Sequence, residues 1–189
     1  MTGRETARPA VFIDRDGTLI EEVGYLNHVS RLRMFSFAPE AVRKLNQAGL
    51  PVIMVTNQSG VARGYFPESL VTEVNTLLER QLAAGGAHLT GVYYCPHGAG
   101  DGCDCRKPKT GLLERAAREH ALDLSRSYVV GDRYADVDLA RRVKARSVMV
   151  RTGYGGGELQ WHAAKWPAQP DHVAASLAEA ADWILRQPR

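Results

Sequence analysis

The chain has 189 residues, 44% of them hydrophobic and 24% charged, with a formal net charge of +3. That length buries roughly 70% of the surface an unfolded chain exposes, so neither disulfides nor a partner is needed to build a core. Charges of both signs are spread out and form no aromatic-interleaved basic stripe, no segment has the length of a membrane span, and the polar start lacks a signal peptide's apolar stretch; a cytoplasmic monomer is expected, with no nucleic acid or membrane partner.

Residues 1–9 read as a flexible tail ahead of a single domain over 10–189. Apolar runs at Ala10–Ile13, Val52–Val55, Val92–Tyr94, Tyr128–Val130 and Ser147–Val150 predict strands. Helical patterns fall between and after them, at Pro39–Ala48, Ser69–Ala84, Leu112–Ala121, Asp136–Lys144 and Ala174–Leu185. Pro39 at a first turn and Gly49 as a stop punctuate the first of these, and Leu70, Val74, Leu77, Leu78 and Leu82 give the second an apolar stripe for the core. The glycine-rich run Gly153–Gly157 opens no evident dinucleotide-type helix and reads as a flexible connection. Strand and helix in alternation predict an α/β fold, a Rossmann-like, mostly parallel sheet with helices on both faces. Ligands of such sheets bind beyond the carboxyl ends of the strands.

Reactive side chains gather at those ends. Asp14 and Asp16 follow the first strand in a tight turn that can aim two carboxylates into one crevice. Asp14 can attack phosphorus as a nucleophile while Asp16 exchanges protons with the leaving oxygen and the attacking water. A divalent cation would offset repulsion between Asp14 and an anionic substrate. Alone, an Asp-X-Asp-Gly segment is equally compatible with a capping turn. After the second strand Thr56 and Asn57 offer a hydroxyl and an amide to phosphoryl oxygens. Lys107 supplies a cation for the transferred phosphoryl group, and Arg106 a bidentate grip for a second phosphate or the sugar. Asp132, after the fourth strand, offers a hard oxygen ligand suited to Mg²⁺, although taken alone it reads better as a helix cap.

These four segments, in this order, resemble the haloacid dehalogenase superfamily of phosphatases along nearly the whole chain. The resemblance implies Asp14 as nucleophile, Asp16 as general acid and base, and Thr56 and Lys107 as phosphoryl stabilisers. It implies Mg²⁺ held by Asp14, the backbone carbonyl of Asp16, and Asp132, with Asp136 supporting rather than liganding. No insertion long enough for a large cap domain follows the first or second motif.

All three cysteines lie between Cys95 and Cys105, and with His97 they place Cys95, Cys103 and Cys105 within eleven residues. Three thiolates and an imidazole suit tetrahedral zinc, and with four protein ligands the zinc is expected to be structural, bracing the loop that leads into Arg106 and Lys107. Together with Gly24-Tyr25 and Thr56–Gly64, this loop resembles the branch of heptose bisphosphate and histidinol-phosphate phosphatases, the segment after Asn57 favouring the heptose side. That branch implies a small phosphorylated sugar as substrate, a role in making nucleotide-activated heptose, and substrate contacts at Glu22, Gly24, Tyr25, Asn57, Gln58, Ser59, Arg106 and Arg133. Arg133 departs from the lysine often found there, which keeps the charge and changes its reach. The remaining alternative is a zinc-braced binding module without catalysis.

Overall fold

The strand segments are apolar at consecutive positions, as a sheet covered on both faces requires. In the computed structural model, which describes residues 7–188, they form one parallel six-stranded sheet. Its strands are β1 (Val11–Ile13), β2 (Val52–Asn57), β3 (Gly91–Cys95), β4 (Tyr128–Gly131), β5 (Arg146–Val150) and β6 (His172–Ala174), in the order β3-β2-β1-β4-β5-β6. Helices α1 (Ala38–Gln47), α2 (Glu68–Ala84), α3 (Gly111–His120), α4 (Tyr134–Arg142), α5 (Gly155–Trp161) and α6 (Leu177–Leu185) alternate with them. Val11, Ile13, Met54 and Val130 pack with residues of α1, α2 and α6 on one face. Phe12, Ile53, Val55 and Val129 pack with those of α3 and α4 on the other. Two-residue alternation along each strand therefore feeds two separate cores. Strand order reverses between β1 and β4, and the crevice at such a switch point is where ligands of open α/β sheets bind.

Two segments differ from expectation. The helix anticipated over Ala174–Leu185 begins at Leu177, and the residues before it form β6. This edge strand is docked by Asp171, whose Oδ2 accepts the Ser147 amide N–H at 2.7 Å and its hydroxyl at 2.8 Å. The Gly153–Gly157 run is not a loose connection, because α5 starts at Gly155 and the run packs into the site. Of the tail expected over 1–9, residues 1–6 lie outside the described residues. Arg8 is tied to the body, its N–H donating to Ala121 O and its carbonyl accepting from Asp123 N–H. No described helix is long and apolar enough to cross a membrane.

Candidate active site

The register Ile13↔Val130 brings the ends of β1 and β4 side by side, and the Asp14 N–H extends the ladder by donating to Val130 O at 2.9 Å. Asp14 and Asp132 thus leave the sheet together, 7% and 1% exposed. Two glycines allow that approach. A Cβ on Gly17 or on Gly153 would stand 2.1 Å from Asp132 Oδ2, and both residues have positive φ, +76° and +57°. The Tyr154 N–H donates to the same oxygen at 2.8 Å, and the Thr152 hydroxyl donates to Gly17 O at 2.6 Å. The segment that reads as a glycine-rich connector therefore holds the β1 turn against the Asp132 carboxylate.

Lys107 reaches this cluster from the loop before α3. Its buried ammonium lies 2.7 Å from Asp136 Oδ1 and 3.0 Å from Asp14 Oδ1, and donates to Val55 O at 3.1 Å. Burial acts to lower the Lys107 pKa, but the charges of Asp136 and Asp14 outweigh it and hold the ammonium above its usual range. Burial raises Asp14 to about 7, with Lys107 opposing and the charges of Asp136 and Asp16 adding to the rise. Burial and then the charge of Asp14 raise Asp132 to about 8. The ligand oxygens of Asp14, Asp132 and Asp136 all lie within 4.8 Å of one another. Three hard carboxylates at that spacing, with one ammonium among them, form a donor set suited to Mg²⁺.

Asp16 is held by neighbours that sequence reasoning missed. Arg15, 2% exposed, donates from Nε to Asp16 Oδ2 and from Nη2 to Oδ1, both at 3.1 Å, and from Nη1 to Asn75 Oδ1 at 3.0 Å. Asn75 lies within the apolar stripe of α2, among the buried Val71, Val74 and Leu78. A polar residue in such a stripe was the available signal for a buried partner. The Gln58 amide donates to Asp16 Oδ2 at 2.8 Å and to Thr56 Oγ1 at 2.9 Å.

A cleft of about 380 Å³ lies over these groups. Asp14, Asp16, Glu22, Gly24, Tyr25, Thr56, Asn57, Gln58, Ser59, Arg106, Lys107, Asp132 and Arg133 all line it, so every residue anticipated for catalysis, magnesium or substrate meets there. Gly60, Arg63, Ala135, Asp136 and Tyr154 complete the lining. The amides of Asn57 and Gln58 are committed within the protein. Asn57 Oδ1 accepts the Lys107 backbone N–H at 3.0 Å, and its Nδ2 donates to Lys107 O at 3.2 Å, so one side chain fixes the peptide that carries the ammonium. Burial and the nearby Asp16 charge raise the Glu22 pKa.

Cys95, His97, Cys103 and Cys105 gather at the end of β3, with ligand atoms all within 4.8 Å of one another. Cys95 Sγ is 3.1 Å from Cys105 Sγ and 3.7 Å from Cys103 Sγ. These distances approach the edge of about 3.8 Å of a tetrahedron with zinc–sulfur bonds of ~2.3 Å. Arg106 Nη1 donates to His97 O at 3.1 Å, linking this cluster to the cleft.

The family model for haloacid dehalogenase-like hydrolases matches residues 25–141. The D-glycero-D-manno-heptose-1,7-bisphosphate 7-phosphatase of Thermosynechococcus vestitus is 43% identical over 188 residues, spanning 94% of this chain and 95% of that protein. The D-glycero-beta-D-manno-heptose-1,7-bisphosphate 7-phosphatase of Haemophilus influenzae is 40% identical over 151 residues, 76% of this chain and 82% of that protein. A crystal structure of D,D-heptose 1,7-bisphosphate phosphatase from B. bronchiseptica, complexed with magnesium and phosphate, shares the fold with a TM-score of 0.87 at 30% identity, covering 95% of this chain and 99% of that one.

Proposed function

The chain belongs to the haloacid dehalogenase-like hydrolases, and from that premise we propose that it is a magnesium-dependent, cytoplasmic phosphatase that removes the 7-phosphate of D-glycero-D-manno-heptose 1,7-bisphosphate. Its product, which keeps the phosphate at C1, would feed the synthesis of nucleotide-activated heptose. The observation that carries the reading is Lys107 Nζ standing between Asp14 and Asp136, with Asp132 alongside, at the switch point of the sheet.

In this reading the Asp14 carboxylate attacks phosphorus, the bond from phosphorus to the C7 oxygen breaks, and Asp16 protonates that oxygen as it leaves. Water, deprotonated by Asp16, then hydrolyses the acyl phosphate on Asp14. Lys107 and the Thr56 hydroxyl hold the phosphoryl oxygens and oppose the negative charge gathering there. Arg106 and Arg133 hold the phosphate that stays. Asp14, Asp132 and the Asp16 backbone carbonyl would hold Mg²⁺, which would offset the negative charge of the nucleophile and the phosphate. Asp136 is already engaged by Lys107 and acts as its support. Structural zinc on Cys95, His97, Cys103 and Cys105 would keep Arg106 and Lys107 in place.

Phosphate release from the heptose bisphosphate, followed by phosphorus NMR of the remaining sugar phosphate, tests the reading. It should require Mg²⁺ and be lost in Asp14→Asn. Undiminished activity in that variant removes the covalent route, and a clear preference for histidinol phosphate removes the substrate.

A further inference from the structure

Arg133 lines the cleft, yet the residues that set its place lie on α5, in the segment that the sequence marks only as glycine-rich. Its Nε is 2.8 Å from Glu158 Oε1, and its guanidinium carbon lies 4.3 Å from the centroid of the Tyr154 ring. Glu158 is itself anchored, because its Oε2 accepts the Tyr134 N–H at 2.7 Å and its side chain is only 17% exposed. Tyr154 is anchored through its own N–H on Asp132 Oδ2. Neither Nη nitrogen of Arg133 has a hydrogen-bond partner among the described residues, so the fork that matches a phosphate is unengaged. The charge of Arg133 acts on Glu22, which also lines the cleft and whose pKa it opposes from rising.

We propose that Glu158 is a positioning residue: with the Tyr154 ring it holds the Arg133 guanidinium in one orientation at the cleft, with both Nη groups presented to the phosphate of the substrate that is not transferred. The proposal rests on the bisphosphate reading above. An arginine side chain carries substantial rotamer entropy, and one that is 48% exposed would otherwise lose much of it on meeting its ligand. Bracing from one side by a carboxylate on Nε, and from below by an aromatic face, removes that freedom in advance and leaves the bidentate edge unused. Asp132 and Arg133 are adjacent, so one short segment sets both: Tyr154 through its N–H on the carboxylate, Glu158 and the Tyr154 ring through the guanidinium.

The test is a double-mutant cycle on the full chain, comparing the parent, Glu158→Gln, Arg133→Ala and the double variant. Each is assayed with the heptose bisphosphate, with p-nitrophenyl phosphate, which has no second phosphate, and for inhibition of the latter reaction by a sugar 1-phosphate. For a half-exposed pair the expected effect of Glu158→Gln is about two- to fivefold, as a higher KM for the bisphosphate and a higher Ki for the sugar 1-phosphate. Turnover of p-nitrophenyl phosphate should be unchanged, the effect should shrink as salt is added, and it should vanish in the Arg133→Ala background. An equal loss on both substrates, or the same loss without Arg133, overturns the proposal and leaves Glu158 as a partner of the Tyr134 amide alone. A lower KM in Glu158→Gln overturns it too, since Glu158 would then act only by repelling the phosphate. A parent that leaves the heptose bisphosphate intact overturns the substrate reading, while the inhibition arm still decides on the brace.

Discussion

Removing the Lys107 ammonium without changing the volume much, as in Lys107→Met, should be felt first as stability and then as chemistry. In the folded chain this group is 5% exposed and stands between two carboxylates, with a third within 4.8 Å of both. Taking one partner from a buried ion pair costs about 3–5 kcal/mol, because the remaining charge stays buried and uncompensated. For a domain of this size each kcal/mol moves the melting temperature by roughly 2–4 °C, so a drop of about 6–20 °C is expected. The cost depends on pH, with a sign that follows from Asp14 and Asp132. Both have folded pKa values raised above the ordinary 3.8, to about 7 and about 8. The fold therefore favours their protonated forms, and the stability this gives at low pH is lost as pH rises from about 4 to about 8. Without Mg²⁺ the penalty for losing Lys107 should be large at pH 8 and smaller at pH 5, where the two carboxyls already carry protons. Mg²⁺ should restore part of it at pH 8, and should stabilise the parent more at pH 8 than at pH 5. Thermal melts of both proteins in chelator and in Mg²⁺ at the two pH values measure all of this. A penalty below about 1 kcal/mol, or one equal at both pH values, would refute the electrostatic argument. Activity should fall by about two to three orders of magnitude, as for loss of one donor to a developing phosphoryl charge.

Gly153→Ala places a methyl 2.1 Å from Asp132 Oδ2 and 2.6 Å from the Gly17 Cα, in a backbone conformation that alanine disfavours. It should weaken Mg²⁺ dependence by about tenfold or more in half-saturating concentration, a displacement of one ligand; an unchanged Mg²⁺ titration would mean that the site tolerates the shift. Cys105→Ser, checked by metal analysis of the purified protein, should lower bound zinc and the kcat/KM together, because Arg106 is tied to the loop through His97 O. Zinc loss with full activity would separate the loop from the cleft.

Strands β1 to β5 were readable as short apolar runs, and α1 to α4 as amphipathic patterns falling between them. β6 was not, since His172 and Val173 carry no period of their own and Ala174 merges into the pattern of α6; what holds them as a strand is pairing with β5 and Asp171 on Ser147, contacts between distant segments. In the site, residues that follow strands announce themselves by position. Arg15 does not, because its burial depends on Asn75 on another element. Nor does the pairing of Lys107 with Asp136, which needs the first turn of α4 to meet the loop that precedes α3. The run at Gly153 was legible as glycine and illegible as a clamp, because what it clamps, the Gly17 turn, lies at the other end of the chain.

The reversal of strand order between β1 and β4 has a temporal side. Asp14 arrives early in synthesis, but the strand that puts Asp132 beside it comes more than a hundred residues later, and Lys107 only shortly before that. A nascent chain holding β1 to β3 already has Asp14 and Asp16, the latter with its Arg15 and Gln58 partners, but lacks both the Lys107 ammonium beside Asp14 and the Asp132 carboxylate. Contacts across such sequence separations form late and slowly, so the reactive cluster comes into being in one step with the docking of β4. Asp14, Lys107 and Asp132 therefore meet only once β4 has closed the sheet at its middle.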